Sequence, residues 1–379
     1  MIYDVIVVGA GVAGGAAALE LSRAGLKVLW LERHKFPRYK PCAGGITRKS
    51  WNILKLDISE ILKFHAREIS LSYKISNERT AVASQVFTFM VVRTELDALV
   101  AREAVRCGAE FRDGVSLSDI KIETDGLVSV KANSEWLQTR FVIAADGVNS
   151  VVNSKLKLHT RRKNAFAIEA NVDVDPSKYL SDYKMTFDFG SVKNGYGWVF
   201  PKDDHLCVGL YTLDGKIANG RDALMEYTKQ RSIPVKGEPE IKGHMIPLDG
   251  ADFRQRDLPV LLAGDAAGFA DALTGEGIYY AMLSGQLAAE TVIETINGTG
   301  DGVIGYNRKL GKELLPEISL SSKLAKAFYK TLPLSFHLLK RRPISGIFLE
   351  ASVEGASYLN TITHAPTYLM RAMQSGRIH

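Results

Sequence analysis

Three glycines near the start of the chain constrain its fold more than any other feature of the sequence. Gly9, Gly11 and Gly14 form the pattern G-x-G-x-x-G directly after an apolar run at residues 5–8. A helix-like segment follows, and a second apolar segment ends in Glu32. In a strand–turn–helix–strand unit, such glycines permit a tight turn, close approach of the backbone to a pyrophosphate and close helix–strand packing. The helix N-terminus suits phosphates and the acid suits ribose hydroxyls, so the sequence predicts a Rossmann-like dinucleotide-binding unit.

Length and composition indicate a globular protein with more than one lobe. The chain has 379 residues, of which 46% are hydrophobic and 24% are charged. Its three cysteines, Cys42, Cys107 and Cys207, are too few and too scattered for a disulfide framework or a metal cage. We therefore predict no metal site and a reducing, cytoplasmic setting. We identify neither a signal peptide nor an apolar stretch of about 18 residues, which a membrane span requires. The net charge of +6 comes without a nucleic-acid-binding motif, so no nucleic-acid partner is expected.

Two later segments each place an aspartate after an apolar strand. The segment FVIAADGVNSVV contains Asp146, and the segment LPVLLAGDAAGFADALTGEGIYY contains Asp265. A long helix is predicted to begin near Gly275. Together with the N-terminal glycines, these segments form three ordered motifs spread along the chain. Their order resembles that of FAD-dependent oxidoreductases of the p-hydroxybenzoate hydroxylase type.

That resemblance implies a fold and a cofactor site. The fold is α/β, with a discontinuous Rossmann-like FAD-binding domain, an inserted antiparallel-sheet substrate domain and a helical C-terminal region. In the family, the second aspartate binds the ribityl chain, and the helix after it points its N-terminus at the flavin. The segment VVRTELDALVAREAVRCGAEF matches the family's arginine on the cofactor. The resemblance implies these FAD contacts: Gly9, Gly11, Ala13, Gly14, Glu32, Arg33, Arg93, Val115, Asp146, Asp265, Gly277 and Ile278.

The spread of these motifs predicts how the chain is divided. We assign residues 1–66, 93–157 and 256–300 to the FAD-binding domain. Residues 67–92 and 158–255 are rich in strand-like alternation and are assigned to the substrate domain. Residues 301–379 are assigned to the helical C-terminal region.

Two further motifs resemble those of the geranylgeranyl reductase family. The segment FPRYKPCAGGIT has a cysteine followed by small residues, as the family has beside the flavin, which adds Cys42, Ala43 and Gly45 to the expected FAD contacts. The segment YGWVFP alternates with period two, which predicts a strand with its aromatic side chains on one face. It matches the family motif P-x-x-Y-x-W-x-F-P, except that Lys193 replaces the leading proline. In the family this wall lines a tunnel for a prenyl chain, so the expected substrate contacts are Tyr196, Trp198, Phe200 and Pro201.

The resemblance implies reduction of C=C bonds in a geranylgeranyl or polyprenyl chain on a lipid or a quinone. Reduced FAD would supply the hydride, and the external reductant would be NAD(P)H or a reduced electron carrier. Cys42 is the candidate catalytic proton donor, and contact with FAD alone is the other interpretation of this residue. Cys107 and Cys207 are interpreted as core residues.

Two other functions stay open at this point. Flavin-dependent halogenases have a related W-x-W-x-I-P strand, so a monooxygenase or halogenase acting on an apolar or aromatic substrate is the main alternative. Tyr196 and Phe200 replace two members of that motif, which favours the reductase. The second alternative is a flavin-linked carrier of a prenyl lipid or quinone without turnover. The sequence does not determine the oligomeric state, and a monomer is compatible with it.

Positive charge is concentrated near the C-terminus. Residues 307–343 contain nine Lys and Arg and two Glu. Spacings of three and four place a set of apolar residues on one helical face and three lysines opposite them. Such a helix can lie among anionic headgroups, so we expect attachment to the cytoplasmic membrane face, and packing on the substrate domain is the alternative. The apolar set is Leu320, Leu324, Ala327, Phe328 and Leu332, and the lysines are Lys323, Lys326 and Lys330.

Overall fold

The structure is a computed structural model that describes residues 2–159, 163–179 and 184–374. The described strands belong to three sheets. They are β1 (Ile2–Val8), β2 (Val28–Glu32), β3 (Gly45–Thr47), β4 (Phe64–Ala66), β5 (Glu68–Tyr73), β6 (Ser76–Val82), β7 (Thr88–Met90), β8 (Glu110–Asp113), β9 (Leu117–Ile122), β10 (Val128–Ala132), β11 (Glu135–Ala144), β12 (Asn164–Val172), β13 (Met185–Phe189), β14 (Gly195–Pro201), β15 (Leu206–Thr212), β16 (Ile241–Pro247) and β17 (Val260–Leu262).

The α-helices alternate with the strands in the first half of the described chain and follow one another after β17. They are α1 (Val12–Arg23), α2 (Arg48–Ile53), α3 (Arg93–Arg106), α4 (Val151–Leu156), α5 (Pro176–Tyr179), α6 (Gly220–Gln230), α7 (Ile278–Ile296), α8 (Val303–Glu313), α9 (Leu315–Lys330), α10 (Leu332–Leu339), α11 (Arg342–Glu354), α12 (Tyr358–Thr363) and α13 (Ala365–Gln374).

The first sheet is built around the N-terminal strand. Its order is β8-β2-β1-β11-β10-β9, with β17 beside β11. The strands β8, β2, β1, β11 and β17 pair in parallel, and β10 and β9 are added antiparallel. The run at residues 5–8 is fully buried, as expected for a parallel strand covered on both faces. The glycine turn therefore lies at the carboxyl end of a central strand, where α/β sheets bind ligands.

The second sheet carries the aromatic strand at its centre. Its order is β16-β12-β15-β14-β13-β5-β6, and each pair is antiparallel except β13 with β5. On one face, Val199 belongs to an apolar cluster with Leu224 and Tyr227 of α6. On the other face, Tyr196 and Trp198 belong to a cluster that extends to the C-terminal helices. The α/β fold with an inserted, mainly antiparallel sheet and a helical C-terminal region is the predicted fold class.

Helix α9 packs inward rather than presenting an apolar face to solvent. Its buried residues include Ala325 and Tyr329, and the Phe328 ring lies 5.2 Å from the Phe189 ring. Ala327, expected on the membrane face, is exposed beside the lysines. The alternative of a helix packed on the substrate sheet with solvated lysines therefore describes α9. Across the described ranges, we find no helix with the length and hydropathy needed to cross a bilayer.

Candidate functional site

A cavity of about 800 Å³ lies between the first and second sheets and reaches the C-terminal helices. It brings together residues that are far apart in the sequence. At one end are Gly11 and Arg93, and near the other are Leu338 and Phe348 of α10 and α11. The predicted site residues that line it are Gly11, Ala13, Cys42, Ala43, Gly45, Arg93, Asp265, Gly277, Ile278, Tyr196, Trp198 and Phe200.

The glycine turn shapes the start of the cavity. Gly9 has a φ of +97°, and a Cβ on Gly14 would lie 1.9 Å from the Gly9 carbonyl oxygen. These two glycines are therefore needed for the close packing of α1 on β1. At Gly11, in contrast, a Cβ would have only the Arg93 side chain nearby, at 3.8 Å. Gly11 caps α1 without a side-chain hydrogen bond, so the first N–H groups of the helix face open space.

A second helix N-terminus opens into the same cavity. Helix α7 begins at Ile278 after Gly277, again without a side-chain cap. A Cβ on Gly285 would lie 2.2 Å from the Ala13 carbonyl oxygen, so only glycine allows α7 to pack this closely on α1. The two helix termini, which no side chain of the described residues caps, therefore present positive dipole ends and backbone N–H donors to one space.

Charged side chains surround this end of the cavity. His244 Nε2 lies 3.6 Å from Asp265 Oδ2. Burial favours the neutral form of Asp265, but His244, Lys40 and Arg93 outweigh burial and hold the pKa of that carboxyl below its usual range. Arg93 in turn donates to both carboxylate oxygens of Asp97, at 3.0 and 2.9 Å. The site thus favours the ionised form of Asp265 beside the basic side chains of His244, Lys40 and Arg93.

Two residues of this network were missed at the sequence level. Asp97 lies one helical turn after Arg93, a spacing typical of an ion pair on a helix. Arg38 donates to Asp97 Oδ2 at 3.0 Å and to the Ala10 carbonyl oxygen at 2.8 Å. It thereby ties the loop after β2 to the glycine turn. The i,i+4 spacing could have revealed Asp97, whereas no sequence pattern predicted the reach of Arg38.

The remaining predicted residues lie outside the described lining of the cavity: Gly9, Gly14, Glu32, Arg33, Val115, Asp146 and Pro201. Glu32 accepts the Ala10 N–H at 2.8 Å and the His34 N–H at 3.0 Å, so it braces the turn. Asp146 accepts the N–H groups of Val151 and Val152 at the start of α4. Its other oxygen is buried without a hydrogen-bond partner within the described chain, and burial raises the pKa of this carboxyl.

These features fit FAD. Two uncapped helix N-termini suit a pyrophosphate, and the open space at Gly11 lets the ligand reach the backbone. Asp265 is an ionised acceptor on the cavity wall, as ligand hydroxyls require. The residues present are therefore compatible with the dinucleotide that the sequence implies.

The aromatic wall lies on the cavity face of the second sheet. One row of successive cross-strand neighbours runs through Lys242, Glu169, Gly209, Trp198 and Phe187. A Cβ on Gly209 would lie 2.1 Å from Cζ2 of Trp198, so the indole ring lies flat over the glycine. The row is polar toward β16 and apolar toward β13. The wall therefore offers rigid apolar area at the end away from Asp265.

Three tyrosine hydroxyls hold the loop that precedes α7. The Tyr211 hydroxyl donates to the Ala272 carbonyl oxygen at 2.9 Å, and the Tyr329 hydroxyl donates to that of Leu273 at 2.9 Å. The Tyr196 hydroxyl donates to the Thr274 carbonyl oxygen. Three consecutive carbonyls are thus bound from β15, α9 and β14. Tyr211 and Tyr329 were missed at the sequence level because their partners lie about 60 residues away in the chain.

The loop before α7 is also held by one of its own residues, Asp271, and by Tyr358 of α12. The buried carboxylate of Asp271 accepts the N–H groups of Leu273 and Thr274 at 2.8 and 2.9 Å. Its other oxygen accepts the Tyr358 hydroxyl at 2.7 Å. The C-terminal helices therefore form part of the site through Tyr329 and Tyr358.

A buried polar cluster lies between the cofactor end and the aromatic wall. Glu169, 5% exposed, accepts the Cys42 N–H at 2.7 Å and the Tyr39 hydroxyl at 3.2 Å with one oxygen. Its other oxygen is 3.9 Å from the Cys207 sulfur. Lys202 donates to the Ala43 carbonyl oxygen at 2.6 Å, and burial lowers the pKa of this lysine. The loop with Cys42 is thus held by a glutamate of β12 and by a lysine that follows β14.

Comparison with curated proteins gives relatives along most of the chain. Residues 2–304 match the family model of the FAD binding domain. An uncharacterized protein of Methanosarcina barkeri is 38% identical over 94% of this chain and 91% of its own. The chloroplastic geranylgeranyl diphosphate reductase of Arabidopsis thaliana is 30% identical, covering 87% and 75%. Digeranylgeranylglycerophospholipid reductase 2 of Methanothermobacter thermautotrophicus is also 30% identical, covering 83% and 86%.

Solved structures agree on the fold. A geranylgeranyl bacteriochlorophyll reductase-like protein from Thermoplasma acidophilum matches with a TM-score of 0.74 at 22% identity, over 99% of both chains. A flavin-dependent brominase matches with a TM-score of 0.72 at 18% identity, also over 99% of both chains. The fold is thus shared by reductase-like and halogenating proteins and does not separate the two groups. The relatives found by sequence include geranylgeranyl reductases, and these place the chain with the reductases. The chain belongs to the geranylgeranyl reductase family of FAD-dependent oxidoreductases.

Proposed function

We propose that the protein reduces C=C bonds in a geranylgeranyl or polyprenyl chain carried by a lipid or a quinone. The observation that carries the proposal is one continuous cavity, which joins two helix N-termini to the aromatic wall and is also lined by residues of α10 and α11. A prenyl chain has few groups that can hydrogen-bond, so apolar area and shape must hold it. Relatives whose names specify geranylgeranyl substrates support this choice.

When bound and reduced, FAD would supply hydride chemistry at this site, with NAD(P)H or a reduced electron carrier as the source of electrons. Gly11, Ala13, Gly277 and Ile278 would hold the cofactor through backbone groups, and Asp265 would accept its ribityl hydroxyls. Trp198 and Phe200 would orient the chain and exclude water.

Cys42 was predicted to be the proton donor or a cofactor contact. Its sulfur accepts the Gly44 N–H at 3.4 Å. Burial lowers the pKa of Arg93, but Asp97 and Cys42 beside it outweigh that effect and raise it. Because Cys42 lies beside Arg93, a predicted cofactor residue, and both line the cavity, this placement favours the cofactor role. The catalytic role stays a prediction that Cys42→Ser tests.

Product mass tests the proposed function. The holoenzyme is incubated anaerobically with dithionite and either a geranylgeranylated phospholipid or a prenylated quinone. The masses of the products are measured by mass spectrometry. Gain of hydrogen pairs is the expected result. In a parallel aerobic reaction with halide, gain of oxygen or halogen would instead establish the monooxygenase or halogenase, and an unchanged mass in both reactions would indicate a carrier.

We also propose that the protein docks on an anionic membrane through the corner between α10 and α11. Leu334, Leu338 and Phe348 are 61%, 43% and 43% exposed, and the last two also line the cavity. Residues 340–342, with the sequence KRR, lie between them in the chain. Apolar side chains beside three cations match an anionic headgroup layer, to which each basic residue adds about 1 kcal/mol. A lipid substrate could then enter the cavity directly from the bilayer.

Liposome sedimentation with two matched triple variants tests the docking. Replacing Lys340, Arg341 and Arg342 by Gln should abolish pelleting with anionic vesicles. Replacing Lys323, Lys326 and Lys330 of α9 by Gln removes the same charge and should leave pelleting unchanged. Equal losses in the two variants, or equal pelleting with neutral vesicles, would refute docking at this corner.

A further inference from the structure

We propose that Glu169, rather than a thiol, donates the proton that completes reduction of the alkene. The inference rests on the proposed function and names a different proton donor from Cys42, the candidate that the sequence offered. Reduction of a C=C bond forms two C–H bonds, one from a hydride and one from a proton. The hydride comes from reduced flavin, and the proton must come from a group on the cavity wall beside the prenyl chain.

Four acidic side chains of the described residues line the cavity, and their surroundings differ. Asp265 is held ionised by His244, Lys40 and Arg93. Glu276 forms an ion pair with Lys49, Nζ to Oε2 2.9 Å, and Glu317 accepts the Tyr358 N–H at 2.9 Å. Glu169 lacks a cation within ion-pair distance among the described residues and is almost completely buried. It is therefore the cavity acid whose surroundings best favour the protonated form.

The charged and titratable groups around Glu169 come from every element packed against it. Tyr39 lies on the loop after β2, Lys202 follows β14, and Cys207 lies on β15. His244 and Lys242 lie on β16, where Lys242 is the cross-strand neighbour of Glu169 and forms an ion pair with Glu240. Burial raises the pKa of the Glu169 carboxyl above its usual range. The Cys42 N–H, Tyr39, Lys202 and His244 lower that pKa by smaller amounts.

The position of Glu169 matches the task. It is a cross-strand neighbour of Gly209, and Gly209 is the cross-strand neighbour of Trp198. The carboxyl therefore lies at the polar end of the same row that presents the indole ring to the prenyl chain. It also holds the backbone of Cys42, which lies beside the expected cofactor contacts. An acid here faces the space between cofactor and substrate.

The step balances without a further reactant. The O–H bond of Glu169 breaks, and its proton forms a C–H bond with one alkene carbon, using the π electron pair. The hydride forms a C–H bond with the other carbon, so the alkene gains two electrons and the reduced flavin loses them. Glu169 is left as a carboxylate and regains a proton from water before the next turnover.

Infrared spectroscopy and single-turnover kinetics test the proposal with Glu169→Gln, which keeps an acceptor for the Cys42 N–H. In the wild-type holoenzyme near neutral pH, we expect a C=O band of a protonated carboxyl that is absent in the variant. After anaerobic mixing of the reduced enzyme with the prenyl lipid, flavin reoxidation should be roughly 100-fold slower or more in the variant. The wild-type rate should fall as pH rises through the pKa of Glu169, and this limb should disappear in the variant.

Two further variants make the assignment specific. Tyr39→Phe keeps the acid but removes a donor to its charged form, so the alkaline limb should move to higher pH. Cys42→Ser should keep the limb. An unaltered rate and pH profile in Glu169→Gln, or an infrared spectrum showing ionised Glu169 at neutral pH, would overturn the inference alone. Failure of the wild type to reduce any prenyl substrate would overturn the proposed function, and the inference with it.

Discussion

At the residue scale, glycines that look equivalent in the N-terminal motif have different structural roles. Gly14 allows α1 to pack on the turn, whereas Gly11 borders open cavity. Gly11→Val should therefore fold but fail to retain FAD, because the new side chain occupies ligand space. Gly14→Ala should lower the free energy of unfolding by more than about 2 kcal/mol, since its Cβ would contact backbone. Flavin absorbance and thermal melts of both proteins check this, and a yellow Gly11→Val protein would contradict it.

Gly209 gives a second residue-scale prediction. Its Cβ position is taken by the Trp198 ring, so Gly209→Ala should displace the ring and lower stability by about 1–3 kcal/mol. The KM for a prenyl substrate should rise while flavin colour is kept. Gly311→Ala on α8, where the new methyl meets open space, is the matched control. It should leave the KM and the flavin colour unchanged and should not lower stability, because alanine favours a helix more than glycine does. An equal loss of flavin and substrate binding in Gly209→Ala would show that the wall only supports folding.

At the element scale, the strand–turn–helix start, the Cys42 loop and β14 were readable because each has a local pattern. The role of Glu169 was not predicted from the sequence, although an acid within the apolar run AFAIEANV is a signal that could have been noticed. The tyrosine contacts to the loop before α7 join β14, β15 and α9, and no local pattern encodes such distances. The membrane expectation misplaced the exposed apolar residues because periodicity alone cannot tell which face of α9 packs on the sheet.

Tyr329 tests whether α9 belongs to the site. Tyr329→Phe leaves the Leu273 carbonyl without its donor, which should lower the free energy of unfolding by about 1–2 kcal/mol. FAD should also be released faster, because the loop leads into the N-terminus of α7. Tyr73→Phe is the control, since its hydroxyl has no hydrogen bond within the described ranges. Identical FAD release from both variants would limit α9 to a structural role.

At the scale of the whole molecule, burial of Glu169 links stability to pH. Its pKa is raised in the folded protein, so its contribution to stability is complete below the unfolded-state pKa of about 4.3 and declines as pH rises through the folded-state value. Relative to Glu169→Gln, the wild type should therefore lose unfolding free energy as pH rises from the unfolded-state pKa through the raised folded-state pKa of this carboxyl. Denaturant titrations of both proteins at a series of pH values measure this difference in unfolding free energy. A difference that stays constant with pH would contradict the raised pKa of Glu169.

The tyrosines that hold the loop before α7 imply reciprocal coupling between the two ligands. The rings of Tyr196 and Tyr211 line the cavity, while their hydroxyls hold consecutive carbonyls of the loop. A prenyl chain that immobilises these rings would therefore also immobilise the N-terminus of α7, where we propose that the flavin binds. By linkage, each ligand then tightens the other by the same factor. Protein without bound lipid should therefore release its flavin faster than protein that carries a prenyl chain. The enzyme would then lose its cofactor when it is away from its substrate.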